Sequence, residues 1–433
     1  MLRNNVFKFN YLKKADPKLY SLLIKEINRQ ENTLNLIPSE NIAPLPILEL
    51  IGSPLTNKYS EGYPYKRYYP GNFYYDQIET LAQERALKAF NLNHQKWSVN
   101  VQPYSGSPAN LAIYFALLKP KEKILGLELT SGGHLTHGHF ANLSGKIFKS
   151  ISYSVNEKGF IDYNQVQKLA LKYKPKIIVC GTTSYPRKIN FKKFKIIADQ
   201  VNAFLLADIS HIIGLIIAKE HPSPFLYADI VMSTTHKTLQ GPRGAVIFIN
   251  KKSKTAKKLN INLEEVINKT VFPGLQGGPH NNIIAGIAYA FKRAASKKFI
   301  KYQKQIVKNA KILAAELKNY GFKLVTDGTD THLILIDLRN INLTGKEAEK
   351  ILEKANIIAN RNAILKDKSP FSPSGLRLGT PTLTARLMKE KEMKKVANFI
   401  FRLLIKKEDP EIIKKEVLDL CQNFPLLSPL VYS

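Results

Sequence analysis

Apolar residues recur along the chain in two rhythms, a helical spacing and short uninterrupted runs. From Asp16-Pro17 onward, Leu19, Leu22, Leu23 and Ile27 fall on one face and predict an amphipathic helix. Ile78, Leu81, Ala82, Ala86 and Phe90 repeat at the same spacing. The runs Ile177-Ile178-Val179-Cys180, Phe204-Leu205-Leu206-Ala207, Asp229-Ile230-Val231-Met232 and Ala245-Val246-Ile247-Phe248 read as strands buried on both faces. Helices interspersed with such strands predict an α/β domain with a mostly parallel sheet. From about residue 291 the texture changes to a long basic amphipathic helix, expected to stop at Tyr320-Gly321. A strand over 333–338 and further helices then predict a smaller α+β domain. The expected division is an N-terminal helix and arm (1–45), a large domain (46–290) and a small C-terminal domain (291–433), without internal repeats.

Composition narrows the class. The 433 residues are 44% hydrophobic and 23% charged, the balance of an ordinary globular protein. No apolar stretch approaches the ~20 residues that span a bilayer, so no membrane association is expected. Two cysteines cannot build a disulfide framework or, by themselves, a zinc site, and residues 1–10 lack the apolar core of a secretion signal, so a cytoplasmic chain is expected. The formal charge of +31 could attract nucleic acid or acidic substrates. The basic residues are dispersed, however, apart from Lys251, Lys252, Lys254, Lys257 and Lys258. With no basic stripe interleaved with aromatics, nucleic acid is not the expected ligand.

Four polar features sit where an α/β sheet places ligands, beyond the carboxyl ends of strands. Ser105-Gly106-Ser107-Pro108 precedes an apolar helix, with Ser107 expected as the N-cap and Pro108 as the first helical residue. Such a turn can cradle an anion or simply cap a helix. Asp208 closes one strand, with His211 three residues on; the carboxylate could serve chemistry or cap a turn. Ser233-Thr234-Thr235-His236-Lys237-Thr238 follows another strand, and a lysine desolvated there loses its proton more easily, though a surface charge would look the same. Gly274-Leu275-Gln276-Gly277-Gly278-Pro279 could offer backbone N–H groups to phosphate. Together these point to pyridoxal phosphate, which needs a lysine, a carboxylate for its ring nitrogen and an anion cradle. His134 could stack on the ring. A competing metal reading of His134, His137 and His139 fails on spacing, and no metal is expected.

The same residues resemble the serine hydroxymethyltransferase family. The matching stretches are 36–41 (LIPSEN), 56–69 (TNKYSEGYPYKRYY), 101–110 (VQPYSGSPAN), 132–138 (GGHLTHG), 207–215 (ADISHIIGL), 221–244 (with TTHKT and GPRG), 271–279 and 374–381 (SGLRLGTP). They occur in family order over nearly the whole chain. The resemblance implies the aspartate-aminotransferase fold (fold type I) and reversible transfer of the serine hydroxymethyl carbon to tetrahydrofolate, giving glycine and 5,10-methylenetetrahydrofolate. It also implies a homodimer with shared active sites.

On that resemblance Lys237 carries the cofactor as a Schiff base, Asp208 pairs with its ring nitrogen, His134 stacks on the ring and His211 contacts its oxygen. Ser105, Gly106 and Ser107 hold the phosphate with Gly277 and Gly278 of a neighbouring subunit, while Thr183, Thr234 and His236 line the cofactor. Arg377 holds the substrate carboxylate, helped by Ser39 and Tyr69. Glu61 handles the proton and Tyr59 lies beside the cofactor, both from the other subunit. Folate would lie near Glu61, Tyr68, Leu129, Gly133, Leu135 and Asn362. The chain departs from the family pattern at Tyr65 and Pro70, where glycines are common, at Thr183, where serine is usual, and at Gln240, where arginine is usual. A folate-independent aldolase and a basic RNA-binding protein are the alternatives.

Overall fold

The computed structural model describes residues 9–367 and 373–426. Seven strands form its main sheet: β1 Trp97–Asn100, β2 Lys123–Leu127, β3 Lys149–Tyr153, β4 Ile177–Gly181, β5 Phe204–Asp208, β6 Ile230–Thr234 and β7 Ala245–Asn250. Their spatial order is β1-β7-β6-β5-β4-β2-β3, with β7 antiparallel to both neighbours and the remaining pairs parallel. The four runs expected as strands are β4 to β7, to within a residue or two at their ends. The pattern did not reveal β1, β2 and β3. The clearest case is β3, an edge strand in which exposed Lys149 and Ser152 interrupt the buried Ile151 and Tyr153, so it lacks an unbroken apolar run.

Side chains of the central strands alternate between two cores. Ile178, Cys180, Leu205, Ala207 and Val231 face one, while Ile177, Val179, Phe204, Leu206 and Ile230 face the other. Burial on both faces is what makes these strands apolar at every position. Helices cover each face. Ala109, Ala112 and Ile113 of one helix (106–117) seal the second core, and Ile284, Ile287 and Phe291 of another (281–294) seal the first.

Toward the C-terminus the expected single helix is two. Asn281–Ala294 ends before Ser296, whose hydroxyl caps the helix Lys297–Asn319 by accepting the Phe299 N–H at 3.1 Å. The second helix changes cores along its length. Phe299 and Val307 pack into the large core, whereas Leu313, Ala314 and Leu317 pack beneath a small antiparallel sheet. That sheet contains β8 Lys323–Leu324, β9 Leu333–Asp337, β10 Asn360–Asn362 and β11 Gly375–Gly379 in the order β8-β9-β11-β10. Gly321, just past the helix, takes φ 89°, which accounts for the stop predicted there.

The N-terminal helix Pro17–Glu31 starts as predicted, with the Asp16 side chain accepting the Leu19 N–H at 2.9 Å. None of its residues is buried. The strand after it is tied to the C-terminal region: Leu34 pairs in parallel with Ile357, and Leu34 and Leu36 are fully buried in the small core. No described helix is long and apolar enough to cross a membrane.

Candidate active site

The parallel strands deliver their polar ends to one rim, on either side of the place where the connections change direction between β2 and β4. A cavity of about 500 Å³ opens there. It is lined by Ser39, Ser105, Gly106, Ser107, His134, Thr183, Asp208, His211, Thr234, His236, Lys237, Asn362 and Arg377, all singled out from the sequence.

Asp208 is the last residue of β5 and is buried. Its Oδ1 accepts the Ser210 hydroxyl at 2.6 Å and the Ser210 N–H at 3.1 Å. Its Oδ2 faces His137 Nε2 at 3.0 Å and accepts Asn110 Nδ2 at 3.1 Å. Burial alone would push this carboxyl up. The His137 and Ser210 hydrogen bonds and the His137 and His134 charges outweigh it and hold the group far below the usual carboxylate range. A permanent anion therefore sits at the cavity wall.

Lys237 lies three residues past β6. Its turn is closed by the Thr235 hydroxyl donating to the Pro242 carbonyl at 2.6 Å, and its own carbonyl accepts Asn41 Nδ2 at 2.9 Å. Nζ donates to Thr234 Oγ1 at 2.8 Å. Burial pushes the amine down to about 8 against the pull of Asp208, with the Arg377 and Arg243 charges adding to the depression. At pH 7 about a tenth is then the neutral nucleophile, a few hundredfold more than for an ordinary lysine.

Helix Gly106–Leu117 begins two residues earlier than expected. Ser105, not Ser107, is the N-cap, because the Ala109 N–H already reaches the Ser105 carbonyl at 3.1 Å; Pro108 fits inside the first turn, where no N–H partner is needed. The Ser105 side chain makes no capping bond, so its hydroxyl and the first-turn N–H groups remain available to an anion. A Cβ on Gly106 would stand 2.7 Å from Thr234 Cγ2, so only glycine lets this turn lie so close to β6. The anion cradle, the buried carboxylate and the depressed lysine face one cavity, which fits the phosphate, ring nitrogen and aldehyde of pyridoxal phosphate.

On the opposite wall Arg377, from β11, donates Nη1 to the Thr183 carbonyl at 2.7 Å and Nε to Asn360 Oδ1 at 3.2 Å. Burial pushes it down to about 10, so it stays a cation at neutral pH. The Thr183 hydroxyl donates to the Gly133 carbonyl at 2.9 Å, tying this wall to the turn that carries Leu129, Gly133 and Leu135. Asn362 Nδ2 donates to Ser184 Oγ at 3.1 Å. His134 is pushed down to about 4 by burial and the His137 charge, against Asp208, and so presents a neutral ring. His236 is pushed down to about 3 by burial, then by Lys237 and Arg243.

Nine expected residues do not line the cavity: Leu129, Gly133 and Leu135 lie on the neighbouring turn, and Tyr59, Glu61, Tyr68, Tyr69, Gly277 and Gly278 stand elsewhere on the same protomer. A Cβ on Gly277 would meet Glu61 Oε1, and one on Gly278 would meet the Tyr59 ring, so these residues form a second cluster. Tyr59 and Tyr69 pack edge to face at 5.5 Å, and Tyr59 and Tyr68 are 58% and 73% exposed. Arg67 braces the segment through buried ion pairs to Asp76 (2.8 Å) and Glu79 (2.7 Å). Tyr65 takes φ 63° in its turn and Gln240 takes φ 58°, conformations that glycine adopts without strain.

Sequence reasoning missed Asn110, Ser210 and Arg243 as site residues and weighed His137 only as a metal ligand; its ring in fact goes to Asp208. Asn110 carried a usable signal, a polar residue on the buried face of an apolar helix.

This sheet and this cavity define a pyridoxal-phosphate enzyme of the aspartate-aminotransferase fold type. A sequence model described as serine hydroxymethyltransferase matches residues 12–400. A serine hydroxymethyltransferase of Methanosarcina barkeri is 51% identical over 422 residues, covering 96% of this chain and 99% of the relative. The chain belongs to the serine hydroxymethyltransferase family, whose members use pyridoxal phosphate to move the hydroxymethyl carbon of serine to tetrahydrofolate.

Proposed function

We propose that this chain interconverts serine and glycine with tetrahydrofolate as carbon acceptor, in the cytoplasm, as a homodimer whose two active sites are each built from both copies. The observation that carries the reading is one cavity in which a depressed Lys237, an anionic Asp208 and a half-buried Arg377 face one another. Residues 46–290 would form the cofactor-binding domain and 291–433 the small domain, with 1–45 as the arm.

Bound pyridoxal phosphate supplies an electron sink for the pair released when the serine Cα–Cβ bond breaks. Lys237 would hold it covalently, Asp208 would keep the proton on its ring nitrogen, and His134 would pack against its face. Ser105, Gly106 and Ser107 take the phosphate, completed by Gly277 and Gly278 of a second copy. Thr183, Thr234 and His236 shape the walls. Arg377 clamps the serine carboxylate with a two-pronged fork, and Ser39 and Tyr69 orient the amino acid. Glu61 moves the proton at the serine hydroxyl, with Tyr59 beside it. Tyr68, Leu129, Gly133, Leu135 and Asn362 would receive the folate.

Two features support shared sites: the separation of the Glu61 cluster from the cavity, and the exposed aromatics Tyr59, Tyr68, Phe73 and Tyr74 on that face. Mixing Glu61→Gln protomers with Lys237→Ala protomers should therefore regenerate activity, because a hybrid dimer holds one intact site. Two inactive variants that stay inactive when mixed and refolded together would rule out the shared arrangement. Serine cleavage by the purified protein should require tetrahydrofolate; equal turnover without it would favour the aldolase.

Arg377→Lys should not behave as a conservative change. Lysine keeps the charge but loses the fork, and serine affinity should fall about 10- to 100-fold (~1.4–2.7 kcal/mol) with cofactor retained. Near-normal serine binding in a titration would remove Arg377 from that role.

A further inference from the structure

Between the two sheets His211 Nδ1 and His332 Nε2 stand 3.3 Å apart, with their ring planes 27° apart. His211 lines the cavity, and its carbonyl accepts the Thr238 hydroxyl at 3.0 Å, next to Lys237. His332 is fully buried one residue before β9, its carbonyl accepting the Thr380 N–H at 3.1 Å. Nothing in the reaction outlined above uses it.

Burial pushes the His211 imidazole well below its ordinary range, helped by Lys237, His332, Arg377 and His134. His332 is pushed down to about 3 by burial, then by Arg377, His221 and Lys237. Both rings are therefore neutral at neutral pH, each with one N–H, and a single hydrogen lies between them. The other nitrogen of His332 decides its direction. Nδ1 is sealed from solvent and makes no hydrogen bond, and the Pro38 carbonyl, which pulls the ring the other way, is the smallest of the influences on it. An N–H buried there without an acceptor would cost about 1–3 kcal/mol, whereas a bare acceptor is better tolerated. The hydrogen of His332 accordingly sits on Nε2 and points at His211 Nδ1. His211 then carries its own hydrogen on Nε2, the nitrogen left for the cavity.

We propose that His332 is a positioning residue: by donating Nε2–H to His211 Nδ1, it turns an N–H donor of His211 toward the place where the ring oxygen of pyridoxal phosphate binds. The proposal rests on the cofactor reading above. It also gives the small sheet a second hold on the site, because β9 pairs Leu335 with Arg377.

Nitrogen-15 NMR of histidine-labelled, cofactor-free protein reads the tautomer directly. His211 should be protonated on Nε2 in the wild type; protonation on Nδ1 overturns the proposal. Pyridoxal phosphate titrated into cofactor-free His332→Gln, which keeps an amide donor near the same position, should bind within about threefold of wild type, while His332→Phe should lose about tenfold. Equal losses in both variants, or none in either, would mean that the ring only fills space. Should the phenylalanine variant not fold, the wild-type spectrum and the glutamine variant decide alone. A failure of the cofactor reading is distinguishable, since the wild type itself would then not bind pyridoxal phosphate while the tautomer could still be read.

Discussion

Lys237→Ala is expected to leave a folded protein with no covalent cofactor and no measurable serine–glycine turnover. The Lys237 amine is the only one lining the cavity among the described residues, and its depression to about 8 comes mainly from desolvation that no surface lysine shares. Covalent attachment needs the neutral amine, so in the wild type the rate of pyridoxal phosphate attachment to cofactor-free protein should rise with pH and level off above about 8. In the variant, borohydride should trap no cofactor on the chain. A reducible adduct surviving in Lys237→Ala would move the attachment site elsewhere.

Asp208→Ala should keep the cofactor on Lys237 yet lose about a hundredfold or more in kcat, ~2.7 kcal/mol of barrier. Without the carboxylate nothing holds a proton on the ring nitrogen, and the electron sink weakens. A second effect follows from the hydrogen bonds. Asn110 and Ser210 donate to this carboxylate and His137 pairs with it, so its removal strands buried polar groups at about 1–3 kcal/mol each. The variant should therefore also be less stable. The sign of the pH dependence is set by the depressed carboxyl: the wild-type advantage is complete above the unfolded value of about 3.9 and is lost as pH falls toward the folded one. Denaturant melts at pH 7 and pH 3 check this, since the stability gap should narrow on acidification. A loss of turnover below about tenfold would contradict the role of Asp208.

The two outcomes have different structural origins, and so does their legibility. Lys237 and Asp208 could be read from the chain because each follows an unbroken apolar run. Strands buried on both faces must be apolar throughout, and the polar residues that follow such a run mark the rim where ligands bind. Arg377, Glu61 and the residues proposed for folate carried no such local mark and entered through the family resemblance. The exposed Lys149 and Ser152 of β3 hid an edge strand, since half-exposed pairing needs no continuous apolar run.

By itself, the sequence determined the alternation of helices and doubly buried strands, the lysine, carboxylate and anion turn at the strand ends, and the family. Only the tertiary structure decided which groups meet. It broke the expected long helix at Ser296 and sent its two ends to different cores, because a cap hydroxyl and two distant apolar surfaces act there together. It drew Leu34 and Leu36 into the C-terminal core through pairing with Ile357. It set His137 and Asn110 on Asp208, and His332 on His211, contacts between residues 71, 98 and 121 positions apart that no local pattern encodes. And it left Glu61 off the wall of the cavity that holds Lys237, because Glu61 belongs to a separate segment, braced through Arg67 to Asp76 and Glu79.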